Sequence, residues 1–205
     1  DDTALRQYNE ELEILLGRAV RWRQIILENR RLQNTLGDDA GSPRLVCRSA
    51  VMDRVLELAA KVAPTPATVL LTGESGTGKD LLAKRIHRDS NRSAKPFVAI
   101  NCGAMSEQLL TSELFGHVKG AFTGAEAHSP GLLRQAGEGT LFLDEVEAVS
   151  PGFQVLLLRI LEERTARPVG GHTEYPVRCR FIAASNRELE PLVADGVFRR
   201  DLYYR

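Results

Sequence analysis

The feature that most constrains this chain is a short apolar run, Thr68-Val69-Leu70-Leu71-Thr72, that empties into Gly73-Glu74-Ser75-Gly76-Thr77-Gly78-Lys79-Asp80. Glycines in such a loop let the backbone curl until successive N–H groups point inward, a geometry that cradles phosphate oxygens. The pattern demands a strand before the loop and a helix after it, and residues 80–88 carry a helical pattern. The start of that helix adds partial positive charge, and Lys79 is placed to reach β- and γ-phosphates. Where the pattern asks for Ser or Thr to set a hydroxyl on Mg²⁺, this chain has Asp80, whose carboxylate offers a direct or water-mediated metal ligand.

Around the loop, helices and short apolar strands alternate. Helices are expected over residues 51–62, 80–88, 109–115 and 153–164, and strands over 68–72, 97–101, 140–144 and 179–185. Buried, all-apolar strands alternating with helices imply an α/β fold, a parallel sheet covered by helices on both faces. The strand Thr140-Leu141-Phe142-Leu143 runs into Asp144 and Glu145. In phosphoryl transfer one such carboxylate binds Mg²⁺ and the other polarises the attacking water, so Asp144 takes the metal role and Glu145 that of general base. That pair points to hydrolysis rather than nucleotide binding alone.

Residues 3–36 carry a heptad, with Leu5, Leu12, Ala19, Ile26 and Gln33 at a and Tyr8, Leu15, Trp22, Asn29 and Leu36 at d. Eight of these ten are apolar, which suits a coiled-coil seam in a helix about 50 Å long. The same pattern also fits one amphipathic helix packed on its own domain. Residues 37–43 (GDDAGSP) form a breaker cluster, dividing the chain into a coiled-coil linker at 1–37 and a second domain at 38–205. The chain opens on Asp1 and stops at Arg205 inside a charged, aromatic stretch, so a piece of a longer protein is expected.

Composition narrows the partners. With 27 basic against 27 acidic residues, nothing provides the basic excess of a surface built to hold nucleic acid by its phosphates. No apolar run approaches the roughly 18–20 residues of a membrane helix, and no signal-peptide pattern opens the chain. A cytoplasmic protein without membrane contact is expected. Cys47, Cys102 and Cys179 lack metal-ligand spacing and read as reduced packing residues.

Gly120-Ala121-Phe122-Thr123-Gly124-Ala125, preceded by Glu113-Leu114-Phe115-Gly116-His117-Val118-Lys119, resembles the bacterial sigma-54-dependent transcription activators, members of the AAA+ ATPases. The likeness runs from about Leu45 to Arg205 and includes GESGTGKD, NCGAM, GTLFLDE, FIAASN and FRRDLYYR. It implies an AAA+ P-loop fold, followed in the family by a fifth strand and a small helical lid that would lie beyond Arg205. It implies ATP and Mg²⁺ bound at Gly73–Asp80 with Asp144 and Asp80 on the metal, and Glu145 hydrolysing the nucleotide. It also implies that the loop Gly120 to Ala125, with Phe122 and Thr123 at a mobile, exposed tip, engages the sigma-54 RNA polymerase holoenzyme and carries it from closed to open promoter complex. Asn101 matches the residue that restrains the catalytic glutamate, Asn186 the sensor after the last strand, and Arg199 and Arg205 the arginines offered to a neighbouring subunit's ATP. A ring of six or seven subunits follows, as does a supporting loop at residues 167–171. The linker resembles those that follow two-component receivers, with a dimer through residues 3–36, and DNA contact belongs to a C-terminal helix-turn-helix outside this chain. Departures from the family pattern are Asp80 for Glu, Cys47 for Gly, Val118 for an acidic residue, Leu133 for an aromatic and Ser185 for Thr.

Overall fold

The structure is a computed structural model that describes residues 49–122 and 125–205. The heptad at 3–36 and Cys47 lie outside the described residues.

Four strands make one parallel sheet: β1 (Val69–Thr72), β2 (Phe97–Asn101), β3 (Thr140–Asp144) and β6 (Arg180–Ser185), in the spatial order β1-β6-β3-β2. The register sets Asn101 beside Asp144 at the end of the β2/β3 ladder, and Thr72 beside Ser185 at the end of β1/β6. Between them β3 pairs with β6 from Thr140↔Arg180 to Leu143↔Ala183. Every strand therefore delivers its C-terminal residues to the same edge, the edge at which parallel α/β sheets bind ligands.

Helices α1 (Ala50–Val62) and α2 (Lys79–Arg88) cover one face, closing over Phe142, Ile182 and Ala184 with Ala59, Ala63, Ala83 and Ile86. Helices α3 (Glu107–Phe115), α4 (Leu132–Ala136), α5 (Pro151–Glu163), α6 (Leu189–Ala194) and α7 (Arg200–Tyr203) belong to the opposite side. There Leu114, Leu133, Phe153, Leu157, Leu189 and Leu202 pack with Leu141, Leu143 and Phe181. Alternate residues of β3 thus face opposite layers, as period-two geometry requires. Both faces are covered, as the apolar strands imply.

Helix boundaries move from their expected places for local reasons. Helix α3 starts at Glu107 because the Ser106 side chain accepts the N–H of Leu109. Helix α5 starts at Pro151 because Ser150 caps it and proline at the first turn has no N–H to lose. It stops at Glu163, where Arg164 takes a left-handed conformation (φ 55°). Helix α4 and the two-residue strands β4 (Thr165–Ala166) and β5 (Tyr175–Pro176) are too short to show a periodicity.

A buried arginine anchors the opposite edge. Arg180, 1% exposed, donates to the carbonyls of Val62, Ala63 and Ala67 at 2.7–3.0 Å. The Val62 and Ala63 carbonyls lie at the C-terminal end of α1, where the helix dipole favours a cation, and Ala67 lies in the loop that follows. Burial and the neighbouring Arg92 charge lower the Arg180 pKa from its ordinary value. Arg180→Met keeps the length and loses the three bonds; it is expected to destabilise the fold by about 3 kcal/mol, since orphaned carbonyls cost more than a bond gains. Urea unfolding checks this, and an unchanged midpoint would show that the anchor is dispensable.

Candidate functional site

The phosphate loop forms as the strand, loop and helix pattern requires. Gly76 and Gly78 hold φ of 79° and 86°, values that an L side chain rarely adopts, and Gly78 caps α2. Lys79 lies at the first position of α2 and its Nζ donates to three oxygens: Gly73 O at 2.7 Å, Glu74 O at 2.9 Å and Asn186 Oδ1 at 2.7 Å. An ammonium group has three protons to donate, and all three directions here converge on the loop mouth. Thr77 Oγ1 donates to Glu74 O and closes the loop. Asp80 is exposed in the first turn of α2, and Ser75 is exposed in the loop.

The carboxylates stand two strands along the sheet, after β3. Asp144 ends β3 and accepts the Glu145 N–H at 3.0 Å. Burial pushes its carboxyl above the ordinary value, and the charges of Glu145 and Glu147 push the same way, against Lys79 and the Glu145 N–H. Glu145 adopts a left-handed backbone (φ 56°, ψ 47°) at the start of a one-turn 3₁₀ helix (Val146–Ala148). A non-glycine residue held there costs about 1 kcal/mol, and such strain concentrates at working sites. Its carboxylate occupies the space that a Cβ on Gly103 would need, so glycine at 103 is what lets it lie against the turn after β2. Cys102, buried beneath these acids, has its thiol pushed up to about 12, first by burial and then by Asp144, Glu147 and Glu145.

Asn101 and Asn186 flank the pair. Asn101 sits beside Asp144 in the ladder, and its Oδ1 accepts the N–H groups of Gly103 and Ala104 at 2.8 and 3.0 Å. The expected Asn101–Glu145 restraint is not a direct hydrogen bond in this arrangement. Asn186 follows β6 and binds Lys79 through its side chain, while its N–H donates to Glu147 Oε1 at 3.0 Å. Sequence reasoning passed over Glu147. The signal available was a third carboxylate three residues after Asp144, but nothing in the spacing said that it faces Asn186.

The loop at 120–125 rises from a woven base. His117 exchanges backbone bonds with Ser129, and Gly116 and Val118 bond to Val169 of the 167–171 turn, all at 2.9–3.1 Å. Tyr175 donates to Phe115 O at 2.8 Å, and the Arg134 guanidinium lies 4.1 Å over its ring. Phe122 is half-buried with its ring edge-on to His117, centroids 5.1 Å apart. This corrects the expectation of a bare, exposed Phe122: an aromatic side chain beside an imidazole gains contact by folding back. Thr123 and Gly124 lie outside the described residues. Ala125 is buried, and Gly120 N–H donates to its carbonyl.

Arg199 and Arg205 are not brought to this site within the chain. Both are exposed, Arg199 paired with Asp201 at 2.6 Å and Arg205 with Glu162 at 3.6 Å. Gln154, fully buried, fixes the Arg199 backbone by accepting its N–H at 2.8 Å and donating to Val197 O and Val149 O. That glutamine had no sequence signal, being one polar residue on the core face of a helix.

The raised Asp144 carboxyl makes a stability prediction. A folded-state pKa above the unfolded value means that the charged form costs stability, a cost present at neutral pH and lost as pH falls through the folded pKa. Asp144→Asn is therefore expected to raise the urea midpoint of the free chain at pH 7, with the difference from wild type vanishing below pH 3.8. An equal or lower midpoint at pH 7 would contradict the assigned environment.

Residues 45–205 match the family described as the Sigma-54 interaction domain. The transcriptional regulatory protein GlrR of Escherichia coli (strain K12) is 50% identical over 168 residues, 82% of this chain and 38% of that protein. The Nif-specific regulatory protein of Azotobacter vinelandii is 52% identical over 161 residues, 78% of this chain and 31% of its own. Among solved structures, NtrX from Brucella abortus superposes with a TM-score of 0.75 at 32% identity, over 92% of this chain and 42% of that one. Structures of NtrX in complex with ADP and with ATP superpose at 0.73 and 0.74. The chain spans less than half the length of each of these relatives. A parallel sheet with a phosphate loop after β1, carboxylates after β3 and this match over residues 45–205 make the chain a member of the sigma-54 interaction domain family, with the AAA+ P-loop NTPase fold.

Proposed function

We propose that this chain hydrolyses ATP to remodel the sigma-54 RNA polymerase holoenzyme from closed to open promoter complex. The observation that carries the reading is convergence: Lys79, Asn186 and the Asp144–Glu145 pair come from three separate segments and meet at one sheet edge. The nucleotide complexes of NtrX support ATP as the ligand of Gly73 to Asp80. Phosphate oxygens would take over the Lys79 protons now given to Gly73 O and Glu74 O. Hard oxygen donors suit Mg²⁺, which keeps most of its water and binds through one or two carboxylates plus phosphate, and Asp144 and Asp80 are the carboxylates that would hold it. When bound, the ion neutralises charge on the phosphates. Glu145 orients and deprotonates the attacking water, Asn186 reads the γ-phosphate, and Asn101 restrains Glu145 indirectly, by holding the Gly103 turn against which its carboxylate lies.

The loop Gly120–Ala121–Phe122–Thr123–Gly124–Ala125 is the surface that meets sigma-54. Phe122 must leave His117 to be presented, and the bonds of Gly116 and Val118 to Val169 tie that movement to the 167–171 turn. Arg199 and Arg205, exposed and held only by surface acids, serve a neighbouring subunit's nucleotide, which makes a ring the active form. In the whole protein, residues 3–36 pair two subunits, a receiver controls assembly, DNA is held by a further C-terminal domain, and the protein acts in the cytoplasm.

Two measurements test this. Glu145→Gln is expected to lower ATP turnover by at least about 100-fold, the scale of a lost general base, with ATP binding retained. Retained turnover would leave a nucleotide-binding regulatory module. Sigma-54 capture in ADP–aluminium fluoride is expected for the wild type and lost in Thr123→Ala. ATP turnover without capture would keep the enzyme and assign it a different client.

A further inference from the structure

The end of the β3/β6 ladder leaves a gap that one side chain fills. Strand β3 stops pairing with β6 at Leu143↔Ala183, while β1 stays paired with β6 as far as Thr72↔Ser185. Beyond Ala183, the side of β6 that faced β3 has lost its ladder. The backbone N–H of Asn186 is satisfied there by the carboxylate of Glu147, at 3.0 Å, across 39 residues of sequence. Glu147 sits in the 3₁₀ turn that begins at Glu145. Its other oxygen, Oε2, is buried and has no hydrogen-bond partner among the described residues.

That second oxygen is informative. A buried carboxylate oxygen without a donor is costly, and it lies among acids, since both Asp144 and Cys102 feel the charge of Glu147. An acid kept in such a place for packing alone would be better replaced by an apolar residue. What Glu147 supplies that an apolar residue cannot is an acceptor for Asn186. Through it, one set of contacts joins the turn bearing Asp144 and Glu145 to Asn186, and Asn186 Oδ1 to Lys79. This link bypasses the nucleotide altogether.

We propose that Glu147 is a positioning residue for Asn186: by gripping its main-chain N–H, it fixes the γ-phosphate-reading side chain relative to Glu145. The inference rests on the reading of the site as an ATPase and extends it to a residue that touches neither nucleotide nor water. A carboxylate or an amide oxygen can serve, provided that the side chain has the reach of glutamate. The shorter Asp cannot span the gap.

The test is a set of variants measured for ATP turnover and for binding of ATPγS and ADP. Glu147→Ala and Glu147→Asp are expected to lower kcat by about tenfold, the loss of roughly one hydrogen bond in the transition state, with KM changed by less than about threefold. Both are expected to reduce the preference for ATPγS over ADP. Glu147→Gln keeps an acceptor and is expected to restore kcat to within about threefold of wild type. In an Asn186→Ala background, Glu147→Ala is expected to cost nothing further, because its effect runs through the missing side chain. Should Glu147→Ala not fold, Glu147→Asp and Glu147→Gln carry the comparison. Losses that multiply in the double variant, or a Gln variant as impaired as Ala, would overturn the proposal. A wild type that depends on Glu145 yet tolerates Glu147→Ala and Glu147→Asp overturns it alone. A wild type that binds no ATPγS, or whose turnover survives Glu145→Gln, overturns the ATPase reading and this inference together.

Discussion

Strand β3 is buried on both faces, and nearly everything else follows from that. Between α2 on one side and α4 on the other, its middle is filled by Leu141, Phe142 and Leu143, all buried. Past Thr140, whose hydroxyl pairs with His87 in the core, the strand stays apolar until it emerges at Asp144. Because the sheet is parallel, β2 and β6 emerge on the same side and bring Asn101 and Asn186 with them. An antiparallel partner would have sent its end to the far edge. The parallel ladder therefore gathers the site, and the loops merely complete it.

The two edges of the sheet are treated differently. At the N-terminal edge, Arg180 and Arg92 spend their donors on backbone carbonyls, and those contacts are closed and structural. At the C-terminal edge, contacts are exchangeable. Lys79 is satisfied by loop carbonyls that phosphate oxygens can replace, Glu145 is held in a strained conformation, and Asp144 is pushed towards its neutral form. A cation bound beside the carboxylate, as proposed above, would relieve the last of these by supplying positive charge. The instability of the free site is the counterpart of its readiness to bind. The loop that carries Phe122 stands on backbone bonds to Ser129 and Val169, which brace its base.

Much of this was legible before any coordinates. The expected strands at 97–101 and 140–144 coincide with β2 and β3, because wholly apolar strands between polar turns leave little else to choose. The phosphate loop was legible because its chemistry depends on local backbone conformation alone. Less was legible where contacts are long in sequence. Glu147 to Asn186 spans 39 residues and Gln154 to Arg199 spans 45, and neither pair has a spacing that a helix or a strand imposes. Phe122 was misjudged for a related reason. Its flanking glycines suggest exposure, but whether an aromatic ring stays in water depends on what stands nearby, and His117 does.

What the sequence by itself determined is therefore the local chemistry: a loop able to wrap phosphate, an apolar strand ending in acids, and the order in which strands and helices alternate. Those depend on neighbours a few residues apart, and on the rule that the middle of a buried strand carries apolar side chains. What only the tertiary structure decided is which polar ends meet. Strand order and register placed Asn101 beside Asp144, the splaying of β3 from β6 opened the gap that Glu147 fills, and the fold kept Arg199 and Arg205 on its outside. The physical reason is that ladder pairing and side-chain packing act between segments far apart along the chain, whose meeting no local pattern encodes.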